Sequence, residues 1–186
     1  MITIHTIVRN EEKFIKKAIL SVLSAKEIKE ILVWDTQSSD HTVQNILSIK
    51  DPRIKFTQKG KVDRTRLVFL RNQQIRLTRT PWIMLLDGDE IWPEKNLRIL
   101  INEMGKAGRN TIALVNKTRN AVGDAYHYLP EVEGHYQIGR WKGHLNIRAV
   151  RNLPGLAVKG IYPDEWYELD GKKIQDRPER LKFADT

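Results

Sequence analysis

The sequence predicts an α/β fold: a Rossmann-like, mostly parallel central sheet with helices on both faces and a smaller mixed extension. Three observations support this prediction. Short, fully apolar runs such as 31–34 and 82–86 alternate with amphipathic stretches, as expected of a parallel sheet covered on both sides. Each run ends in polar, turn-forming residues. The 186 residues suffice for one domain with a hydrophobic core.

The first half of the chain repeats a unit of one strand followed by one helix. Asn10, Asp40 and Asp63 are expected to cap the first three helices, because short polar side chains accept hydrogen bonds from the first helical N–H groups. The predicted strands are 2–8, 31–34, 54–57 and 82–86, and apolar residues recur between them at helical spacing. Right-handed crossovers between such strands place their carboxyl ends along one edge of the sheet.

The second half begins with one more predicted helix, 94–104, which ends near Gly105 and Gly108. A fifth strand is predicted at 111–116. From there to a strand at 145–150, aromatic residues and glycine replace the helical periodicity. We therefore expect a mixed-sheet extension rather than a second domain.

Composition narrows the class of protein. Lys and Arg number 32 against 23 Asp and Glu, and the net charge of +9 favours polyanionic partners such as phosphorylated small molecules or anionic lipid. The basic residues are spread along the chain, which argues against a nucleic-acid-binding arm. The chain has no cysteine, so thiolate metal sites are excluded. No apolar stretch reaches the roughly 18 to 20 residues of a membrane span, and no secretory signal is present, so we expect a cytoplasmic protein.

Three carboxylates follow the fourth predicted strand in the stretch LLDGDE. Asp87 and Asp89 flank Gly88, and Glu90 comes next. Such oxygen ligands suit Mg²⁺ or Mn²⁺, which often bridge carboxylates to substrate phosphates, and a glycine lets the backbone approach those phosphates. Asp35 ends another predicted strand and faces the same edge of the sheet. The alternative is a turn whose aspartates only cap the following helix.

Three segments in this order resemble the family 2 glycosyltransferases with the nucleotide-sugar-binding GT-A fold: TIVRNEEKFIKKAILSVL, EILVWDTQSSDHT and RNQQIRLTRTPWIMLLDGDE. The nearest likeness is to the bacterial lipopolysaccharide-core and TPR-type subgroup. The resemblance covers about residues 2–104. It implies one GT-A domain over 1–186, with the nucleotide-sugar site in 1–104 and the acceptor side in 105–186. Many relatives place a third metal ligand, often histidine, near the domain end. Its absence here leaves two alternatives: a truncated catalytic domain, or metal binding by the carboxylates and water alone.

The resemblance implies transfer of a sugar from a nucleotide diphosphate sugar, with a UDP-sugar favoured, assisted by Mn²⁺ or Mg²⁺. It assigns Val8, Arg9 and Glu11 to the base and ribose, and Asp35 to the nucleoside. Arg66 or Arg71 would approach the donor phosphates or close over the base, and Asp87 with Asp89 would hold the metal and diphosphate. A metal and a cation would stabilise the charge that develops on the leaving diphosphate. Arg71 could equally serve only to brace the loop.

The same resemblance implies a catalytic base in the stretch NIRAVRNLPGLAVKGIYPDEW. The subgroup has an Arg-x-x-Arg motif followed by Gly-x-x-His-Glu, and Arg148 and Arg151 followed by Gly160 match its first part. Glu165 is the implied base and Asp164 the second choice, although the histidine of the motif is replaced. A carboxylate base implies single displacement with inversion at the anomeric carbon. The alternative is a loop turn with solvated charges.

Two other functions remain open at this point. One is a non-catalytic module that binds nucleotide sugars or polyanions through its basic surface. The other is nucleotidyl transfer to a sugar phosphate. Enzymes of that kind normally have a glycine-rich, basic loop after the first strand, and TIVRNEE contains no glycine. The acceptor is expected to be a saccharide, a lipid-linked saccharide or a protein, with peripheral contact to an anionic membrane as an option.

Overall fold

A seven-stranded sheet forms the centre of the computed structural model, which describes residues 1–124 and 126–186. The strands are β1 (Ile2–Val8), β2 (Ile28–Asp35), β3 (Ile54–Gln58), β4 (Trp82–Leu85), β5 (Ala113–Lys117), β6 (Tyr136–Ile138), β7 (Trp141–Gly143), β8 (Leu145–Arg151), β9 (Ala157–Ile161), β10 (Asp164–Leu169), β11 (Lys172–Lys173) and β12 (Leu181–Ala184). The α-helices are α1 (Ile15–Val22), α2 (Thr42–Leu47), α3 (Arg64–Leu77) and α4 (Glu94–Lys106). Among these described residues, no helix is long and apolar enough to span a bilayer.

The strand order in the central sheet is β12-β5-β8-β4-β1-β2-β3. Strands β4, β1, β2 and β3 are mutually parallel, whereas β8 runs antiparallel between β4 and β5. Strands β9, β10 and β11 form a separate antiparallel sheet. The prediction of a mostly parallel α/β sheet with a smaller mixed part is therefore confirmed.

Helices pack on both faces of the sheet because neighbouring residues of a strand point to opposite sides. Met84 of β4 belongs to one buried cluster with Ile19 of α1 and Leu97 of α4. Ile83, the preceding residue, belongs to a second cluster with Ile75 of α3. Truncating a buried residue such as Met84 to alanine is expected to cost about 2–5 kcal/mol. The two clusters fix the sheet whose edge bears the polar loops.

The predicted helix cap at Asn10 is wrong. Helix α1 begins only at Ile15, and Asn10 has a left-handed backbone with φ of +57°. Its Oδ1 accepts a hydrogen bond from Ser39 N at 2.8 Å, and Glu11 N donates to Thr42 Oγ1 at 2.7 Å. The polar side chains expected to start a helix instead join the loop after β1 to the loop after β2.

The other two predicted caps differ in outcome. Asp40 is not the N-cap residue of α2, because it lies one residue before that position. Its carboxylate nevertheless accepts hydrogen bonds from Thr42 N at 3.0 Å and from Glu12 N at 3.1 Å. The cap at Asp63 is confirmed, since its Oδ1 accepts a hydrogen bond from Arg66 N at 2.7 Å. Both carboxylates satisfy N–H groups that helix geometry leaves free.

The predicted end of the fourth helix is confirmed, since α4 ends at Lys106, between Gly105 and Gly108. The extended backbone of Ala107 ends it, and neither glycine has a left-handed backbone. Asp164 and Glu165 lie on strand β10, so the alternative of a loop turn is wrong. Because side chains alternate along a strand, these two carboxylates point to opposite faces of the hairpin formed by β9 and β10.

Candidate active site

A cleft of about 1020 Å³ opens at the carboxyl ends of β1 and β4. Its walls come from the loop after β1, the turn after β4, the start of α3, strand β8 and the β9–β10 hairpin. Six carboxylates and four guanidiniums line it: Glu11, Asp63, Asp87, Asp89, Asp164 and Glu165, with Arg9, Arg64, Arg71 and Arg148. The cleft is therefore formally acidic, although the chain as a whole carries a charge of +9.

The acidic turn after β4 packs against the loop after β1 through Gly88. A Cβ atom at this position would lie 2.8 Å from Glu11 Cγ and 2.9 Å from Val8 Cγ1, closer than real Cβ contacts. Glycine is required here by close packing within the protein itself. The approach also places the carboxylate of Asp89 near Glu11, and burial together with the charge of Asp89 raises the pKa of Glu11.

Arg148 of β8 neutralises part of this acidic turn. Its Nη2 donates to Asp87 Oδ2 at 2.8 Å and also pairs with Glu90. Burial raises the pKa of Glu90 to about 7. Arg148 acts to lower this pKa, and the negative charge of Asp87 acts to raise it. Burial alone would lower the pKa of Arg148, but Asp87 and Glu90 outweigh it and raise that pKa. Arg148 therefore holds two carboxylates that would otherwise repel each other.

Glu165 forms the opposite wall of the cleft. It pairs with Arg71 of α3, and the two side chains are only 15% and 11% exposed. Burial raises the pKa of Glu165, while the guanidinium of Arg71 opposes this increase. Asp164 is exposed and lies at the rim of the same cleft. Of the two carboxylates, Glu165 has the enclosed environment that tunes a proton acceptor towards neutral pH.

Residues 3–157 match the family model described as glycosyl transferase family 2, which covers most of the chain. The chain belongs to this family. Its strand order and the carboxylates after β4 agree with that assignment, and the predicted family is confirmed. The likeness to the lipopolysaccharide-core and TPR-type subgroup stays a prediction.

Individual relatives of this family 2 chain cover different parts of it. The SPbeta prophage-derived glycosyltransferase SunS of Bacillus subtilis is 36% identical over 96 residues, which are 51% of this chain and 21% of SunS. Residues 1–349 of S. aureus TarS superpose with a TM-score of 0.62 at 13% identity, over 100% of this chain and 55% of that chain. The mannosyltransferase PcManGT of Pyrobaculum calidifontis superposes with a TM-score of 0.52 at 18% identity, over 64% of this chain and 35% of that chain. The structural likenesses show the GT-A fold, and the chain spans about half of the TarS fragment and a fifth of SunS.

The predicted donor residues of this family 2 chain divide into two groups. Those that line the cleft are Val8, Arg9, Glu11, Arg71 and Asp87. Asp35 and Arg66 do not line it. Asp35 is fully buried, and its carboxylate accepts hydrogen bonds from Gln37 N at 3.1 Å and Ser38 N at 3.2 Å. In this conformation Asp35 shapes the loop after β2, and its predicted contact with the nucleoside stays a prediction.

Arg64 is a cleft residue that the sequence analysis missed. It is the first residue of α3 and lines the cleft beside Asp63, whereas Arg66 does not line it. The sequence could have indicated Arg64, because the predicted cap at Asp63 places the next residue at the start of a helix near the carboxyl ends of the strands. A guanidinium at that position adds to the positive helix N-terminus, which favours anions.

The two arginines of the second family motif have different surroundings. Arg148 reaches the acidic turn, as described above. Arg151 lies over the ring of Trp82, 4.6 Å from its centroid, and its Nε donates to Thr111 O at 2.8 Å. Arg151 therefore braces the end of β8 away from the cleft.

Asp87 and Asp89 are chemically suited to a divalent cation. Asp89 is exposed, and the Asp87 side chain is 39% exposed, so both can reach a ligand in the cleft. Burial is the largest cause of the raised pKa of Glu11, and the neighbouring carboxylate of Asp89 adds to it. Within 1–124 and 126–186, no group of three or more histidine, aspartate or glutamate side chains is placed to hold a metal ion. A cation here would take two protein carboxylates and complete its shell with water or phosphate oxygens, as Mg²⁺ often does.

Proposed function

We propose that this chain transfers a sugar from a nucleotide diphosphate sugar to an acceptor hydroxyl, with inversion and with the help of Mn²⁺ or Mg²⁺. One observation supports this most directly: the acidic turn at Asp87 and Asp89 and the buried Glu165 line the same cleft at the strand ends. The proposed donor phosphate site, at Asp87 and Asp89, and the proposed proton acceptor, Glu165, thus lie in the same cleft. Ligands of open α/β sheets bind at this edge.

The nucleotide is proposed to lie along the loop after β1. Val8, Arg9 and Glu11 line the cleft there, and the start of α3 adds Arg64. S. aureus TarS has been crystallised with UDP-GlcNAc, and PcManGT with GDP-Man and Mn²⁺. The TarS structure, whose match extends over this whole chain, favours a UDP-sugar as donor.

Asp87 and Asp89 would hold the divalent ion. A bound cation of this kind neutralises the negative charge that grows on the leaving diphosphate. Arg148 pairs with Asp87 and so fixes the orientation of this carboxylate in the turn. Arg71 is engaged by Glu165, whereas the described residues give Arg9 and Arg64 no ion pair, so these two are better candidates for contact with phosphate.

Glu165 is the proposed base, with Asp164 as the second choice. Its carboxylate would accept the proton of the acceptor hydroxyl as the oxygen attacks the anomeric carbon. The new carbon–oxygen bond forms while the bond to the diphosphate breaks, and the nucleoside diphosphate leaves with the electron pair. The guanidinium of Arg71 opposes the increase that burial causes in the pKa of Glu165. A positioned base typically contributes about 10²–10⁴-fold to the rate.

The acceptor is proposed to be a saccharide, a lipid-linked saccharide or a protein. Tyr136 and Tyr162 line the cleft with exposed rings, and flat apolar faces of this kind pack well against sugar rings. The net charge of +9 is compatible with peripheral contact between the basic surface and an anionic membrane. Nucleic acid is not proposed as a partner.

Calorimetric titration of the chain with UDP, GDP and dTDP tests this function, each with Mn²⁺ and with chelator. The expected result is binding of one nucleotide, UDP, that requires the metal. Binding followed by turnover of the corresponding sugar nucleotide would complete the proposal. Binding without turnover in a folded protein would favour the non-catalytic module, and no binding to any nucleotide would refute the donor site.

A further inference from the structure

Asn72 joins helix α3 to the β9–β10 hairpin. Its Nδ2 donates to Val158 O at 2.8 Å, and its Oδ1 accepts a hydrogen bond from Val158 N at 2.9 Å. The same Nδ2 donates to Val68 O, one helical turn earlier, at 2.9 Å. Both N–H groups and the oxygen of the amide are thus engaged, which fixes the side chain in one orientation.

Strand β9 needs such a partner because it is an edge strand. The order of its sheet is β11-β10-β9, so on one side β9 has no neighbouring strand among the residues that the structure describes. Edge strands present N–H and C=O groups that lack a ladder partner. Asn72 supplies both partners to Val158, as a neighbouring peptide group would. Val158 is only 2% exposed, so water cannot readily replace these bonds.

The residue before Asn72 holds the other strand of the hairpin. Arg71 pairs with Glu165 of β10, and β10 pairs antiparallel with β9. Two adjacent residues of α3 therefore contact the two strands, Asn72 through the backbone of β9 and Arg71 through the side chain of Glu165. The distance between α3 and the hairpin, and with it the burial of Glu165, depends on both contacts.

We propose that Asn72 is a positioning residue for sugar transfer. By fixing Val158 it holds the hairpin where Arg71 meets Glu165 and where Glu165 stays buried in the cleft wall. Asn72 does not itself line the cleft, so it acts through the hairpin. This inference rests on the proposed function, in which Glu165 accepts the acceptor proton.

The decisive comparison is Asn72→Ala against Asn152→Ala. Asn152 is a matched control because its Nδ2 also makes two long-range bonds to backbone, with Thr78 O at 3.1 Å and Thr80 O at 3.2 Å, and it does not line the cleft. The first readout is the titration of Glu165 by ¹³C NMR with δ-labelled glutamate, assigned with Glu165→Gln.

In Asn72→Ala we expect the pKa of Glu165 to fall towards its ordinary value, because the loosened hairpin exposes the carboxylate. The charged groups that act on Glu165 are Arg71 from α3, which lowers its pKa, and Asp87 from the turn after β4, which raises it. Loosening the hairpin weakens both effects, but burial is the largest cause of the raised pKa, so the net change is a fall. Asn152→Ala should leave the titration of Glu165 unchanged. A wild-type titration curve in Asn72→Ala would overturn the proposal.

The second readout separates binding from chemistry. With UDP-N-acetylglucosamine as donor and water as acceptor, Asn72→Ala should lower kcat by about 10-fold or more, since small misplacements of a catalytic group cost up to about 10²-fold. KM for the donor and the affinity for UDP with Mn²⁺ should change less than about twofold, because the loss is confined to the chemical step. An unchanged kcat would also overturn the proposal.

Two further arms keep the result interpretable. Asn72→Ser also loses both bonds to Val158, while its hydroxyl can still donate to Val68 O one turn earlier, so the pKa of Glu165 and kcat should change as in Asn72→Ala. This variant decides the matter if the alanine variant does not fold. If the wild type binds no nucleotide, the proposed function fails, while the titration of Glu165, which needs no donor, still decides whether Asn72 positions it.

Discussion

Arg148 Nη2 lies 2.8 Å from Asp87 Oδ2, which joins strand β8 to the turn that follows β4 across 61 positions of sequence. The Arg148 side chain is only 13% exposed, and it also pairs with Glu90. A buried guanidinium of this kind depends on its carboxylates, and they depend on it. The contact lets an acidic turn close the end of a buried strand without uncompensated repulsion.

Replacement of Arg148 by Met should therefore destabilise the fold. The variant leaves Asp87 and Glu90 close together without their cation. Breaking a fully buried pair from one side typically costs about 3–5 kcal/mol, and the loss here should be smaller because the Asp87 side chain is 39% exposed. The free energy of unfolding, measured by urea denaturation, reports this loss. Arg109→Met is the control, because Arg109 is exposed and its replacement should change stability by less than about 0.5 kcal/mol. Equal stability of the two variants would contradict the role of Arg148.

Asp89→Ala should remove the metal dependence of nucleotide binding and leave the fold intact. Asp89 is exposed at the cleft, so no buried partner loses its charge when the carboxylate is deleted. Calorimetric titration with UDP and Mn²⁺ measures the effect, with Asp185→Ala as a control for loss of one exposed aspartate. If UDP affinity with Mn²⁺ were the same in wild type and Asp89→Ala, the metal role of Asp89 would be wrong.

Glu165→Gln should abolish transfer while the affinity for UDP stays close to that of wild type. The amide keeps the size of the side chain but cannot accept the acceptor proton, so we expect a loss of about 10²–10⁴-fold in kcat. Glu168→Gln, three positions along β10 on its other face, is the matched control.

The pH dependence gives an independent check on Glu165. Because burial raises its pKa, the wild-type rate should increase with pH through a value above 4.5, as the carboxylate becomes deprotonated. Full activity in Glu165→Gln would move the base to Asp164 or elsewhere.

Gly88→Ala should disturb the donor side of the cleft. The added methyl group would lie 2.8 Å from Glu11 Cγ, so Glu11 or the turn must shift, at a cost typical of overpacking, about 1–3 kcal/mol. UDP affinity should fall with it. Gly105→Ala is the opposite case, since a Cβ there meets nothing within 4 Å and the position lies inside α4. That variant should be stabilised by roughly 0.5–1 kcal/mol, and thermal unfolding of both variants tests the pair.

His5 should make the fold sensitive to acid. Burial, assisted by the charge of Arg71, lowers the pKa of His5 from 6.5 to about 3, and its Nε2 lies 2.6 Å from Thr78 Oγ1. Below pH 6.5, therefore, His5 binds a proton in the unfolded chain but not in the folded chain. Stability from this residue is present above pH 6.5 and is lost as the pH falls towards 3, by up to about 1.4 kcal/mol per pH unit.

The variant His5→Gln removes this titration. Its unfolding free energy should fall less steeply between pH 6.5 and 4 than that of wild type, as measured by urea denaturation at several pH values. His135→Gln, at an exposed histidine, should keep the wild-type slope. Parallel slopes for wild type and His5→Gln would show that His5 does not titrate on unfolding.

The sequence by itself determined the alternation of strands and helices and the location of the acidic turn. Apolar periodicity and turn chemistry act over a few residues, so the parallel sheet and the position of Asp87 at a strand end followed from local pattern. The same held for Asp63, whose cap bonds a residue three positions away.

Only the tertiary structure decided which partners these residues take. Asn10 has the local chemistry of a helix cap, yet its side chain accepts a hydrogen bond from Ser39 in a loop 29 positions away. Arg71 meets Glu165, and Asn72 meets Val158 across 86 positions, because α3 packs beside an edge strand whose free backbone groups need partners. Such contacts depend on how distant elements pack and on which buried polar groups remain unsatisfied, and no local pattern in the sequence encodes either.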